Sequence, residues 1–293
     1  MTTSVLKQDH LGVLGATSLA GQCLLQQLSM PPYTVHAFSR DPHDQVPQSA
    51  VEWMRLGSGV DSIESVIPAW ICLAPIWVLP DYFSMLQKYG AKRVVVVSST
   101  SRFTKDDSSD PEEQAVALRL AEAEDKLQAW ASTHQVEWII LRPTLIYGLG
   151  QDKNISEIAR FIQRFGFFPL FGAAQGKRQP IHVEDVTAAC IAAMHAPAAL
   201  NCAYNISGAE TLAYRDMVAY LFVALNRTKR IATVPLWMFS AAVAVLRRIP
   251  RYRKWTTAMA QRMNRDMVFD HSAAIRDFGF NPRKFVLYPK DIP

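Results

Sequence analysis

The chain is predicted to be an α/β protein, a doubly wound parallel sheet followed by a smaller C-terminal lobe, and three observations predict it. Short β-type runs alternate with longer helical patterns, a glycine turn joins the first run to the first helix, and several runs are unbroken Val/Ile/Leu. Strands that alternate apolar with polar residues bury one face, whereas continuous apolar strands are covered on both, as in a parallel sheet between helix layers. Composition agrees: 49% of the 293 residues are hydrophobic and 19% charged, enough to bury a large core and too few charges for a disordered chain. No low-complexity tract or repeat points to a solenoid or fibrous protein.

Taken in order, His10–Leu14 is the first strand, Leu19–Leu28 repeats leucines at helical spacing, and Tyr33–Phe38 is the second strand. Val51–Leu56, Trp70–Ala74, Arg93–Ser98 and Val136–Leu141 supply further strands, with helices over Pro80–Tyr89 and Pro111–His134. After Gly148 the texture changes. Helix Ile155–Phe165 is followed by a Phe/Gly/Pro-rich stretch to Pro180, helix Val183–His195, a strand near Tyr204–Ile206, helix Tyr214–Leu225 and a basic tail. We therefore expect a dinucleotide-binding domain over residues 1–148 and a substrate-binding lobe over 149–293, with elements that can interleave.

The first turn reads Gly15-Ala16-Thr17-Ser18-Leu19-Ala20-Gly21. A glycine pattern closing a strand and opening a helix suits a pyrophosphate, because the helix start offers unpaired N–H groups and partial positive charge. The candidate cofactor residues here are Gly15, Thr17, Ser18, Leu19 and Gly21. Ser18 replaces the usual middle glycine, adding bulk but also a hydroxyl. An ordinary strand-to-helix turn is the alternative. At the end of the second strand, Ser39-Arg40 stands where an acidic residue would accept from a ribose 2′-hydroxyl, so Arg40 favours a 2′-phosphate and NADP, while Asp41 keeps NAD open.

These motifs and several later ones resemble the extended short-chain dehydrogenase/reductase family, the NAD-dependent epimerase/dehydratases, whose fold is a Rossmann-type sheet with a C-terminal substrate lobe. The landmarks are GATSLAG, VVVVSSTS (Val94–Ser101), LRPTLIYG (Leu141–Gly148), RQPIHVEDV (Arg178–Val186), YNISG (Tyr204–Gly208) and VFDHSAAIRDFGFNP (Val268–Pro282). The resemblance implies that Gly15, Ser18 and Gly21 cradle the pyrophosphate and that Arg40 faces the adenosine ribose. Ala74 and Pro75 would line the adenine and ribose edge, Pro143 would lie near the nicotinamide, and Ser98 is a further cofactor-binding candidate. Thr100 takes the place of the family's catalytic Ser/Thr. Arg178 matches the arginine that grips a nucleotide-sugar diphosphate, with Asn154 a second candidate for the same ligand, whereas His182 and Asp185 match positions that are more often structural.

The family's acid-base pair, Tyr-x-x-x-Lys, is missing from this chain. Its two positions fall at Val116 and Leu120, neither of which transfers a proton. Three explanations stand open: Tyr147, Lys105 or Glu122 substitutes; Thr100 and water suffice for the substrate; or the protein binds the dinucleotide without turnover, as a regulator or assembly factor. The resemblance thus implies an NADP-dependent oxidoreductase or epimerase of a nucleotide sugar or related anionic substrate, with the silent binder as alternative.

Charge is unevenly spread. Residues 226–293 hold fourteen Lys/Arg and four Asp, while the rest holds seventeen basic and twenty-two acidic residues. Five cations crowd Arg247–Lys254, directly after an apolar run read as a helix, so Val234–Lys254 is a candidate peripheral contact with an anionic membrane. Packing of that run within the lobe, with the arginines in solvent, is the alternative. No nucleic-acid motif accompanies the cluster. Cys23, Cys72, Cys190 and Cys202 form no Cys-x-x-Cys pair, no metal site is expected, and the N-terminus lacks a signal-like apolar stretch, which together predict a cytoplasmic protein. Homodimerisation through helix faces of the first domain is a further expectation.

Overall fold

The computed structural model describes residues 10–28, 33–41, 50–57, 66–238 and 257–293. Its centre is a seven-stranded sheet in which every pairing is parallel. In chain order these strands are β1 (His10–Leu14), β2 (Thr34–Ser39), β3 (Val51–Arg55), β4 (Ala69–Cys72), β5 (Arg93–Val97), β6 (Glu137–Pro143) and, after four short strands of the second half, β11 (Cys202–Ile206). Their spatial order is β11-β6-β5-β4-β1-β2-β3, so the winding reverses between β1 and β4. Neighbouring positions in the strands feed opposite cores. Val95 and Ile139 pack with α1 (Leu19–Gln27) and α6 (Val183–His195) on one face, whereas Val94, Val96 and Ile140 pack with α4 (Pro111–His134) on the other. That double burial is why the strands read as unbroken apolar runs.

The helices start and stop where their ends are chemically satisfied. Asp110 accepts from the Glu112 N–H at 2.9 Å, Pro111 follows at the first helical position, and Gln135 ends α4 in the left-handed conformation at φ 54°. The predicted helix over Pro80–Tyr89 divides instead into a 3-10 turn, Ile76–Tyr82, and α2, Phe83–Lys88. Pro80 lies inside the turn, and a residue with no N–H and a fixed φ does not continue an α-helical ladder.

The C-terminal half gives two elements back to the first sheet: β11 extends it beyond β6, and α6 covers the face shared with α1. The remainder builds a second core in which Ile155 and Ile162 of α5 (Ile155–Phe165) meet Met217, Leu221 and Phe222 of α7 (Tyr214–Ala224). Three two-stranded pairs edge this lobe: β7 (Ile146–Tyr147) with β10 (Ile181–His182), β9 (Lys177–Arg178) with β12 (Leu212–Ala213), and β8 (Phe168–Phe171) with β13 (Ile231–Val234). The apolar stretch after Ile231 therefore opens as a strand, while the remainder of the run, from Phe239, and the cluster Arg247–Lys254 lie outside the described residues.

His182 and Asp185 tie the C-terminal segment to α6. His182 Nδ1 accepts from the Glu184 N–H at 3.1 Å, which leaves Nε2 as the donor to Asp291 Oδ1 at 3.0 Å. Asp185 accepts from the Arg283 backbone N–H and side chain, at 2.9 and 2.8 Å. Burial pushes the Asp291 carboxyl up, but the bonds from His182 and from the Tyr288 and Leu149 N–H groups outweigh it and hold it below its ordinary value.

Glu124, on α4, is fully buried and joins three elements. It accepts from Ser98 Oγ at 2.6 Å just beyond β5, from Arg142 Nη2 at 2.6 Å on β6, and from Arg102 Nη1 on α3 (Ser101–Thr104). Removing one member of a buried charged network strands the others without solvent, at a cost of about 3–5 kcal/mol. Glu124→Gln is therefore expected to lower the unfolding free energy by about 3 kcal/mol in a denaturant titration, and a loss below about 1 kcal/mol would show the network to be dispensable.

Candidate functional site

The reversal between β1 and β4 opens a crevice at the carboxyl ends of the strands, where doubly wound sheets bind their ligands. Gly15 turns the chain there with φ +81°, and a Cβ on it would lie 2.3 Å from the Ala74 nitrogen. A Cβ on Gly21 would lie 2.2 Å from the Gly15 carbonyl oxygen. Only glycine fits either position, so the turn is pressed against the end of β4 and brings Ala74 beside Gly15.

Ser18 caps α1, its Oγ accepting from the Gly21 N–H at 3.0 Å while its own O–H remains able to donate. The first N–H groups of the nine-residue α1, on Leu19 and Ala20, have no intrahelical acceptor. Thr17 is exposed on the turn. A helix start of this kind, reached without an obstructing Cβ at Gly15, fits the pyrophosphate of a dinucleotide. Arg40 is exposed one residue beyond β2.

Beyond β5 the chain turns under the ends of β5 and β6. Thr100 is buried, and both its N–H and its Oγ1 donate to the Pro143 carbonyl at 3.1 Å. Ser98, by contrast, commits its hydroxyl to Glu124 inside the domain.

A cavity of about 500 Å³ lies between these strand ends and the second lobe, and Thr100, Asn154 and Arg178 all line it. Its wall includes Lys105, Lys153, Arg178 and Arg262, with no aspartate or glutamate. Arg178 is buried and largely engaged: its guanidinium donates to the carbonyls of Lys177 and Arg265 at 2.8 Å each and to that of Arg262, and lies 5.5 Å from the Tyr214 ring centre. Of its five N–H groups, Nε–H and one on Nη2 stay available to a ligand. Arg262 pairs with Glu113 and Arg265 with Asp107, which fastens this wall to the loop and helix after β5.

The three stand-ins for the missing acid-base pair separate cleanly. Tyr147 is fully buried in the second core, its hydroxyl donating to the Val286 carbonyl at 3.3 Å and its pKa pushed up by burial. Glu122 lines a separate surface hollow with Trp77, Pro80 and Lys126. Lys105 lines the cavity itself, and burial, then the nearby Arg262 charge, lower its pKa against the opposing pull of Asp110. Leu120 is buried in the core between α4 and the sheet, and Val116 packs at its margin.

Sequence reasoning missed Tyr214 and Lys153. Tyr214 opens α7 at the cavity wall, with burial raising its phenol to about 12 despite the opposing Arg178 charge, so it is protonated at neutral pH. Neither residue sits in a motif or a periodic pattern that could have marked it.

Fold and site together define a doubly wound dinucleotide-type protein with a cation-lined cavity under a second lobe. Residues 81–207 match the model of the NAD dependent epimerase/dehydratase family. Over that segment the chain is similar to the family, and the whole chain shares the fold of solved epimerases. A UDP-glucose 4-epimerase of Vibrio cholerae is 26% identical over 160 residues, covering 51% of this chain and 48% of that protein. The mitochondrial NADH dehydrogenase (ubiquinone) 1 alpha subcomplex subunit 9 of Arabidopsis thaliana is 24% identical over 167 residues, covering 52% of this chain and 40% of that one. The chain thus spans half or less of the length of these curated relatives. The solved UDP-glucuronic acid 4-epimerase from Bacillus cereus, in complex with NAD, superposes with a TM-score of 0.72 at 14% identity, covering 96% of this chain and 95% of that chain.

Because a half-buried ammonium beside a guanidinium gives up its proton early, competitive acylation of Lys105 followed by peptide mass spectrometry is expected to titrate below the ordinary lysine value of about 10.4. As pH rises through that lowered value the cavity loses one positive charge, so its affinity for inorganic diphosphate falls. An ordinary titration for Lys105 would remove this account of the cavity's electrostatics.

Proposed function

We propose that the chain is an NADP(H)-binding oxidoreductase or epimerase acting on a nucleotide sugar or related anionic substrate. The observation that carries this reading is a cavity with four cations and no carboxylate in its wall, set beside the strand ends where Thr100 lies. Such a wall attracts an anion and rejects a cation, and its burial strengthens the selection. When bound, the nicotinamide would supply the hydride chemistry. The turn from Gly15 to Gly21 would hold the pyrophosphate, with Thr17, Ser18 and Leu19 at the helix start, and Arg40 would meet a 2′-phosphate. Ala74 and Pro75 would flank the adenosine side, with Ser98 and Pro143 behind the nicotinamide side. Thr100 would release its bond to the Pro143 carbonyl and donate to the substrate oxygen, while Asn154 and the two remaining Arg178 N–H groups would hold the substrate's charged end.

A second reading, a dinucleotide-binding regulator or assembly factor without turnover, is favoured by one specific observation: aliphatic Val116 and Leu120 occupy the helix positions of the missing proton-transfer pair. Peripheral contact of Val234–Lys254 with an anionic membrane, homodimerisation and a cytoplasmic location are parts of the same proposal. The four free cysteines suit a reducing compartment.

Incubation with NADPH and a panel of nucleotide sugars and small carbonyl compounds separates the two functions. The enzyme reading expects substrate-dependent loss of the nicotinamide absorbance that Thr100→Ala abolishes. Tight NADPH binding with a flat trace for every compound would leave the silent binder. Arg40→Ala is expected to weaken NADPH at least about tenfold while sparing NADH, since it removes a charge-assisted contact made to the 2′-phosphate alone. Equal losses for both would overturn the NADP preference.

A further inference from the structure

The described residues carry a second basic surface, away from the cavity, where the C-terminal ends of α5 and α7 meet the edge pair β8–β13. We propose that this surface docks on an anionic lipid bilayer. The proposal extends the Val234–Lys254 membrane contact suggested above to the ends of α5 and α7 and the start of β13, and it does not depend on the catalytic reading.

The surface begins at the end of α5. Phe165 is 53% exposed and Phe167 40% exposed, and their rings meet Phe161, tilted at 4.6 Å and edge-on at 5.7 Å between centres. Phe168 follows, its N–H bonded to the Arg230 carbonyl at 3.0 Å, which places the start of β13 against this aromatic cluster. From α7, Val223 stands 77% exposed, and the helix closes on itself through the Arg227 N–H to the Phe222 carbonyl. The strip then follows β13. Every residue from Asn226 to Met238 is exposed except Ile231 and Val234, which are half-buried, and the strip ends in Leu236, Trp237 and Met238, with Trp237 72% exposed.

Charge selects the occupant. Arg164, Arg227, Lys229 and Arg230 are exposed among these apolar side chains. From Met217 to Arg265 the sequence has no aspartate or glutamate and ten Lys/Arg. The nearest acidic side chain on α5, Glu157, is paired with Arg160 at 2.7 Å, and the Pro293 carbonyl accepts from Gln163 at 3.0 Å. Exposed Phe, Val, Leu, Met and Trp interleaved with exposed cations suit the boundary between acyl chains and anionic headgroups. A second copy of the chain would set cation against cation. Nucleic acid would use the cations but leave Val223, Leu236 and Met238 unburied.

The full chain is expected to co-sediment with phosphatidylglycerol vesicles and not with phosphatidylcholine vesicles. A Phe165→Ser, Val223→Ser, Trp237→Ser triple variant and, separately, an Arg164→Glu, Arg230→Glu double variant should each lower the bound fraction by about tenfold or more with unchanged thermal melts. Because these side chains point into solvent, the melts serve as the check that folding is intact. Full binding by both variants, with loss on replacing the five cations of Arg247–Lys254 by alanine, would overturn this surface and leave the tail contact standing. No binding of the unaltered protein to phosphatidylglycerol vesicles would overturn both. Equal binding to phosphatidylcholine, or duplex DNA binding that the same two variants abolish while vesicle binding persists, would also overturn the proposal.

Discussion

The buried carboxylate of Glu124 is the constraint around which the candidate site is arranged. Two guanidiniums and a hydroxyl converge on it, from α3, from β6 and from the end of β5. A single bond between α4 and the sheet could be lost to a small slide of the helix. Three bonds from three elements fix where α4 stands and where the turn after β5 begins, and that turn carries Thr100. With one carboxylate between two arginines, the cluster also leaves a net positive charge beside a cavity whose own wall is cationic. The arrangement that holds the site together and the one that selects an anion are thus physically continuous.

The same helix also meets the sheet through apolar side chains. α4 presents Leu120 to the core and Val116 at its margin, and neither side chain transfers a proton. The helix is stabilised by that packing, and its register is held by Glu124. Lys105, approaching from the loop before α4, is the titratable group that the cavity retains among the three stand-ins. Its lowered pKa follows from burial and from Arg262, which is held in turn by Glu113.

Much of the fold was legible because it rests on local rules. The runs from His10 and Arg93 announce strands buried on both faces, and the Gly15–Gly21 turn announces the first strand-to-helix junction. The change from 3-10 turn to α-helix at Phe83 leaves no separate mark in the Pro80–Tyr89 pattern, because a proline there also suits the first turn of a helix. The return of β11 and α6 to the first sheet depends on contacts between residues more than sixty apart, such as Cys202 with Ile139, and no local pattern reports those. The ribbon β8–β13 was missed for the same reason: four residues of Ile231–Val234 read equally as the start of an apolar helix. Within the site, Thr100 and Arg178 stood in recognisable motifs, Asn154 came from the resemblance alone, and all three line one cavity. Tyr214 and Lys153 stand in none. The engagement of Arg178 by backbone carbonyls, and of Ser98 by Glu124, belongs to tertiary structure alone.

The most direct test is a crystal structure of the protein grown with saturating NADPH. The account predicts the pyrophosphate on the N–H groups at the start of α1, the 2′-phosphate at Arg40, and the nicotinamide directed toward Thr100 with Val116 beside it and no tyrosine in reach. A cofactor bound elsewhere, an empty turn at saturation, or a tyrosine drawn against the nicotinamide would contradict it.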